Sequence, residues 1–325
     1  LRVEDGKALW YKNKFVTSPF GFGPNTHVLK HGEKIYALVE GGVSPVIMDS
    51  EMNFLEEEPF PAADNKRFTA HPKIDSDTGE MHAVSYDFGE YVNGLGQVHY
   101  VTIDSKGKLI KDQIIETPSR PMVHDCAITK NYVLIFDLPV TFNLGRRDDD
   151  NNPIGGDYPV VWNDKHTSRV GLQNKKTDEI IWIEVNPGFL FHIVNSYEDD
   201  NGQVVLDFCR YERLFDFDNP LPMGQKPFLT RWILDPKTKT CSEEMLDDRP
   251  MEFSRVHPDF DGKQHRFGYL LNDGRLNNYF KHDFEKSETV AHDFGESCQA
   301  AEPVFIPRKN AKSEDDGFVV GFVYD

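Results

Sequence analysis

The sequence has 325 residues, of which 38% are hydrophobic and 12% aromatic, and its 54 acidic and 36 basic residues give a formal net charge of -18. This charge disfavours binding to nucleic acid or, through a basic patch, to anionic lipid, whereas an apolar patch would still allow peripheral contact with a membrane. No run of about 18 apolar residues is present, so no transmembrane helix is predicted. The four cysteines, Cys126, Cys209, Cys241 and Cys298, form no C-x-x-C pair. This excludes a cysteine-type zinc knuckle and favours a reducing, cytoplasmic compartment.

Short strand-like segments recur along the chain and are separated by turns rich in Asn, Asp, Gly and Lys. In chain order they are residues 34–41, 81–88, 97–104, 132–140, 180–185, 203–211, 228–235, 266–272 and 317–325. Hardly any stretch shows a sustained helical period with capping residues. The pattern therefore predicts an all-β fold, for which a sandwich, a barrel and a propeller are the candidate architectures.

A propeller suits a chain of this length better than one barrel does, because its four-stranded blades can be repeated around a ring. No strict repeat such as a Trp-Asp signature marks the blades. We interpret residues 1–325 as a single domain.

The sequence contains 12 histidines. Nine of them are expected to have surface or structural roles: His27, His31, His82, His99, His166, His257, His265, His282 and His292. The other three are His71, His124 and His192. Each is preceded by a few apolar or small residues and lies near the end of a predicted strand. Imidazoles from well-separated segments could converge on the axis of a propeller, and an all-nitrogen ligand set suits iron, copper or zinc.

Three glutamates lie in otherwise apolar surroundings, where a carboxylate needs a partner. They are Glu40 in "YALVEGG", Glu252 in "RPMEFSRV" and Glu302 in "AAEPVFIP". Metal-bound histidines usually donate their free ring N–H to a carboxylate or a carbonyl, so these glutamates are candidates for orienting the imidazoles. The alternative is that each faces water from an edge strand.

Taken together, these segments resemble the carotenoid cleavage oxygenase family, which also contains stilbene-cleaving dioxygenases. The similar blocks occur in the same order and spacing along nearly the whole chain: "GPNTHVLKHGEKIYALVEGG", "FTAHPKIDSDTGEMHAVSYDF", "MVHDCAITKNYVLIFDLPVTFN", "FHIVNSYED", "RWILD", "DDRPMEFSRV" and "EPVFIPR…EDDGFVVGFVYD". The resemblance implies a seven-bladed β-propeller with a non-haem Fe(2+) held on its axis by four histidines. His71, His124 and His192 match three of these ligands, and Glu40, Glu252 and Glu302 match the glutamates that accept imidazole N–H groups.

The resemblance further implies a dioxygenase that cleaves a conjugated C=C double bond with O2 to give two carbonyl products. Its partners would be an apolar polyene and O2. Members that cleave hydroxystilbenes carry a lysine immediately before the glutamate matched by Glu40, and this chain has Val39 there. Because valine cannot form an ion pair with a phenolate, a carotenoid or apocarotenoid is expected rather than a stilbene.

The sequence departs from the family pattern at both ends. The family's fourth histidine lies beyond the last matching block, whereas this sequence has no histidine after His292. A first blade segment also has no counterpart, so the sequence is expected to form an incomplete propeller. Two alternatives stay open: a site of three histidines could prefer zinc, and a catalytically silent propeller could bind an apolar ligand or a protein partner.

Overall fold

The computed structural model describes residues 2–4, 7–9, 24–40, 45–51, 53–57, 68–86, 96–142, 160–216 and 225–325. Antiparallel strands, joined by turns and irregular segments, make up the described structure. The helical structure in the described part of the chain is one 3-10 turn at Pro258–Phe260. No helix within these ranges is long and apolar enough to cross a membrane.

The first sheet is a four-stranded meander near the start of the chain. The strands of this part are β1 (Arg2–Glu4), β2 (Lys7–Leu9), β3 (His27–His31), β4 (Lys34–Leu38), β5 (Val46–Met48) and β6 (Phe54–Glu57). Strands β1 and β2 pair with each other, and β3 to β6 pair in chain order. Gly32 has a φ of 58° in the two-residue turn between β3 and β4, a conformation that glycine adopts at little cost.

The second and third sheets repeat this antiparallel arrangement. The second contains β7 (Lys73–Ile74), β8 (Met81–Tyr86), β9 (Gly96–Ile103) and β10 (Leu109–Thr117). The following strands are β11 (Ala127–Ile128), β12 (Tyr132–Asp137), β13 (Val140–Phe142), β14 (Val160–Trp162), β15 (Arg169–Asn174) and β16 (Ile180–Glu184). The third sheet has the order β11-β12-β15-β16, and β13 pairs with β14 between them.

A continuous sheet of seven strands follows, in which each strand pairs with the next one along the chain. Its members are β17 (Phe189–Glu198), β18 (Val204–Tyr211), β19 (Phe228–Asp235), β20 (Thr240–Arg255), β21 (Phe267–Asn272), β22 (Asn278–Asp283) and β23 (Glu288–Asp293). The 16-residue strand β20 pairs with β19 through its first part and with β21 through its last part. It therefore belongs to two successive four-stranded units.

The last strands form two short pairs. These strands are β24 (Gln299–Ala300), β25 (Val304–Pro307), β26 (Gly317–Val320) and β27 (Val323–Tyr324). Strand β25 pairs with β26, and β24 pairs with β27.

The core lies between sheets that follow one another in the chain. Ile47 of the first sheet and Met81 of the second share one buried cluster. A larger cluster contains Phe136 of the third sheet and Phe189 of β17. Repeated four-stranded meanders that pack face to face in chain order are the building plan of a propeller.

Candidate metal centre

Three imidazoles, from segments in or next to three different sheets, lie close together. His71 lies two residues before β7, His124 lies three residues before β11, and His192 lies within β17. Their possible ligand atoms all lie within 4.8 Å of one another. The ring centroids are 4.6 Å apart for His71 and His124, 5.1 Å for His71 and His192, and 5.0 Å for His124 and His192. The structure thus brings together three side chains that are 53 and 68 positions apart in the sequence.

The ring nitrogens of this cluster have the properties expected of metal ligands. Both ring nitrogens of His71 and Nε2 of His124 are buried and have no hydrogen-bond partner among the described residues. An unsatisfied buried polar group costs about 1–3 kcal/mol, so such atoms normally have a partner. Burial, followed by the charges of His124 and His192, holds the pKa of His71 well below its usual value. The neutral imidazole of His71 that results keeps a free lone pair. This property, together with the close spacing of one ligand atom from each of the three histidines, fits a metal ion.

A carboxylate fixes the ring orientation of His124. Its Nδ1 lies 2.8 Å from Oε2 of Glu40. Glu40 lies two residues after the end of β4, next to Val39. The same oxygen accepts a hydrogen bond of 2.8 Å from the hydroxyl of Tyr86. Burial lowers the pKa of His124, but the Glu40 carboxylate outweighs it and the net shift is upward. Because Nδ1 is used by Glu40, Nε2 is the nitrogen left for a metal.

Glu252 has the same relationship with His192. Its Oε2 lies 2.5 Å from Nδ1 of His192 and also accepts a hydrogen bond of 2.6 Å from the backbone N–H of Phe253. Phe253 has a φ of 54°, a conformation that is uncommon for a bulky residue and occurs most often at functional sites. This backbone turn accompanies the irregular register between Glu252 and Arg255 on β20.

The third predicted glutamate has a different neighbour. Oε1 of Glu302 lies 2.6 Å from Nη2 of Arg255. In the described residues Glu302 therefore forms an ion pair with a guanidinium, whereas the family resemblance led us to expect an imidazole. Glu302 nevertheless lines the same cavity as the three histidines.

The cavity in front of the imidazoles has a volume of about 730 Å³. Its described lining combines the histidines and two glutamates with aromatic, aliphatic and polar groups: Asn25, Thr26, His71, His124, Phe191, His192, Tyr211, Gln225, Glu252, Phe253, Asp273, Gly274, Leu276 and Glu302. The Phe191 ring lies 5.1 Å from the His124 ring, and the Phe253 ring lies 4.9 Å from the His192 ring. Val39 is buried beside Glu40 but lies outside this described lining.

Two residues near the centre could not be predicted from the sequence alone. Tyr86 shares an oxygen of Glu40 with His124, and Arg255 neutralises Glu302. Tyr86 belongs to an apolar strand in which a tyrosine is unremarkable, and Arg255 is an ordinary cation in a polar segment. The one available signal was that a glutamate in an apolar context needs a partner.

Comparisons with known proteins identify the family of this chain. Residues 5–325 match the family described as retinal pigment epithelial membrane protein. A carotenoid cleavage oxygenase of Mycobacterium tuberculosis is 31% identical and aligns with 99% of this chain and 77% of its own length. A resveratrol cleavage oxygenase of Botryotinia fuckeliana is 27% identical and aligns with 99% of this chain and 64% of its own length.

Solved structures show the same fold. The cobalt-substituted apocarotenoid oxygenase of Synechocystis superposes with a TM-score of 0.79 at 25% identity, over 93% of this chain and 66% of that one. The lignostilbene dioxygenase of Pseudomonas brassicacearum gives a TM-score of 0.80 at 26% identity, over 94% of this chain and 68% of that one. These similarities confirm the predicted all-β propeller, while its blade number and the single-domain boundaries remain predictions.

Proposed function

Because the chain belongs to the retinal pigment epithelial membrane protein family and is similar to a carotenoid cleavage oxygenase, we propose that it acts as a dioxygenase. Its substrate would be a carotenoid or an apocarotenoid. The reaction adds one O2 to one conjugated C=C bond, breaks that bond, and leaves one oxygen atom on each of two carbonyl products. The equation balances without a further reductant. The observation that carries the proposal is the meeting of three buried imidazoles, two of which are held by glutamates.

We propose Fe(2+) as the metal, with His71, His124 and His192 as its ligands. One structural neighbour, the Synechocystis apocarotenoid oxygenase, has been solved in a cobalt-substituted form, which supports a metal at the corresponding centre. Neutral imidazoles suit ferrous iron, and the bound ion would supply the redox chemistry between O2 and the double bond. Glu40 and Glu252 would keep two ring N–H groups directed away from the metal, which fixes the tautomers of His124 and His192.

The remaining work of the protein is binding and orientation. The balanced reaction transfers no proton, so the chain needs no general acid or base for it. The rings of Phe191 and Phe253 beside the imidazoles would bind an apolar substrate and keep water from the reacting bond. The position of the substrate along these aromatic side chains would determine which double bond lies next to the metal.

A stilbene is the second candidate substrate, since one relative is a resveratrol cleavage oxygenase and one structural neighbour is a lignostilbene dioxygenase. The buried, uncharged Val39 beside Glu40 speaks against it, because a phenolate would lack a cation there. Parallel assays with an apocarotenal and with resveratrol separate the two candidates. Cleavage of resveratrol alone would replace the carotenoid proposal by the stilbene one.

The test of the proposal is anaerobic reconstitution of the chain with Fe(2+), followed by metal analysis and measurement of O2 uptake with an apocarotenal. We expect near-stoichiometric iron and O2 uptake in the wild type, and loss of both in His124→Ala. His292→Ala is the matched control, because His292 is exposed on β23 and outside the cavity lining. Full O2 uptake by His124→Ala would overturn the proposal. Binding of an apolar ligand that is unchanged by a metal chelator would favour a catalytically silent propeller.

Cytoplasmic location and peripheral membrane contact remain predictions from the sequence. Contact with a membrane would give the chain access to a lipid-soluble substrate. Co-sedimentation with phosphatidylcholine vesicles, compared in the presence and absence of substrate, measures this contact directly.

A further inference from the structure

A buried ion pair joins two of the segments that carry the imidazoles. Nζ of Lys73 is 3.0 Å from Oδ1 and 3.3 Å from Oδ2 of Asp125. The two side chains are only 10% and 2% exposed. Burial lowers the pKa of Lys73, but the Asp125 carboxylate outweighs it and the net shift is upward. Each of these buried groups therefore depends on the other as a partner inside the protein.

The Asp125 carboxylate makes two further bonds to the backbone. Its Oδ1 accepts a hydrogen bond of 2.7 Å from the N–H of Cys126, and its Oδ2 accepts one of 3.1 Å from the N–H of Ile193. Ile193 lies between two register irregularities in the pairing of β17 with β18. Such irregularities often redirect a side chain next to a functional site.

These contacts join the three segments that carry the imidazoles. Lys73 follows His71 by two residues, Asp125 follows His124 directly, and Ile193 follows His192 directly. The bonded groups are 52 and 68 residues apart along the chain. One carboxylate therefore contacts all three segments, two through backbone N–H groups and the third through the Lys73 side chain. The strands nearest to the three histidines, β7, β11 and β17, belong to three different sheets in the described structure.

A second buried ion pair shows how this one differs. Asp207 is fully buried, and its two oxygens accept hydrogen bonds of 2.7 and 2.8 Å from Arg231. Asp207 and Arg231 are direct partners in the pairing of β18 with β19, so the ladder already holds their backbones together. Lys73 lies in β7 of the second sheet, whereas Asp125 lies in the segment just before β11 of the third sheet, so their side chains supply the connection.

We propose that Asp125 is a positioning residue that sets the spacing of His71, His124 and His192 for the metal. This inference rests on the proposed function, because it concerns the same centre. Outer groups that orient metal ligands are typically worth 10-fold to 100-fold in metal affinity. The pair of Lys73 and Asp125 would act on the distances between the imidazoles, whereas Glu40 and Glu252 act on ring orientation.

The experiment measures Co(2+) binding and the visible absorption of the Co(2+)-loaded chain, together with thermal unfolding of the metal-free protein. We compare wild type with Asp125→Asn, with Lys73→Gln, and with Asp207→Asn as the matched buried-pair control. We expect Asp125→Asn and Lys73→Gln to weaken Co(2+) binding about 10-fold or more and to shift the absorption bands. Asp207→Asn should lower the unfolding temperature while leaving the affinity and the bands unchanged.

The outcomes separate the two proposals. Wild type that binds no Co(2+) would overturn the metal centre itself. Wild-type binding with an unchanged affinity and spectrum in Asp125→Asn would overturn only the positioning role. If Asp125→Asn does not fold, Lys73→Gln decides by the same readouts. Failure of both to fold while Asp207→Asn folds would assign the pair to overall stability and overturn the proposal.

Discussion

Nδ1 of His124 lies 2.8 Å from Oε2 of Glu40, although 84 residues separate them along the chain. The first sheet supplies the carboxylate, and the segment before the third sheet supplies the imidazole. A hydrogen bond of this kind selects the tautomer with a proton on Nδ1 and a lone pair on Nε2. The contact between these two distant segments therefore leaves Nε2 of His124 with a free lone pair in the metal-free protein.

We expect Glu40→Gln to weaken Fe(2+) or Co(2+) binding by about 10-fold to 100-fold. Glutamine keeps the size and an accepting oxygen, but it removes the negative charge that supports the donated N–H. Titration of the metal-free chain with Co(2+) measures the change directly. The unfolding temperature of the metal-free protein shows whether the fold is intact.

Glu198→Gln is the matched control for Glu40→Gln. Glu198 also accepts several hydrogen bonds, from the side chain of Thr129 and from the backbone and side chain of Asn131, but it lies outside the cavity lining. Its substitution should leave metal affinity unchanged. Equal affinities for wild type and Glu40→Gln would contradict the role assigned to Glu40.

Glu302→Gln is predicted to have a smaller effect on metal binding in this chain than Glu40→Gln or Glu252→Gln. Its carboxylate contacts Arg255, whereas the other two contact imidazoles. The Co(2+) affinities of the three variants, measured under one condition, test this ranking. An effect of Glu302→Gln as large as that of Glu252→Gln would show that Glu302 orients a ligand after all.

Much of the strand pattern could be predicted from alternating apolar residues and turn chemistry. The predicted strand at residues 228–235 coincides with β19, and the one at 203–211 with β18 to within one residue. The segment 132–140 is instead divided, because β12 ends at Asp137 and β13 begins at Val140. The predicted segments 34–41 and 81–88 extend into residues that lie outside the described ranges.

Strand β20 and the neighbours of the metal centre were less predictable. The first part of β20 is mostly exposed and rich in Glu and Asp, so it has none of the apolar alternation by which a strand is recognised. The histidines and glutamates could be selected because each is unusual in its local setting. Which partner each glutamate takes depends on contacts between sheets, and local sequence carries no information about those contacts. Arg255 as the partner of Glu302 is the clearest example.

Phe191→Ala should weaken substrate binding more than metal binding. The half-buried ring lies 5.1 Å from the His124 ring and 5.6 Å from the Tyr211 ring, and it lines the cavity. Loss of this apolar contact is expected to raise KM for an apocarotenal about 10-fold, with little change in Co(2+) affinity. Phe318→Ala is the control, because Phe318 is 53% exposed and outside the lining. Unchanged KM in Phe191→Ala would place the substrate elsewhere.

Lowering the pH should reduce the free energy of unfolding through histidines that are buried in the neutral form. Substitution of His82 tests this at a single residue. It is 1% exposed, and Nδ1 lies 2.9 Å from the hydroxyl of Tyr100. Burial is the main cause that lowers its pKa from 6.5 to about 3. Between these values the unfolded chain binds a proton at this residue and the native chain does not, so stability falls as the pH falls.

One such group contributes a slope of about 1.4 kcal/mol per pH unit to the free energy of unfolding. His82→Gln should therefore show a flatter decline than wild type when urea unfolding of the metal-free chain is measured at pH 6, 5 and 4. His292→Gln, which alters an exposed histidine, should follow the wild-type slope. Parallel declines in wild type and His82→Gln would mean that His82 takes up its proton in the folded protein as readily as in the unfolded chain.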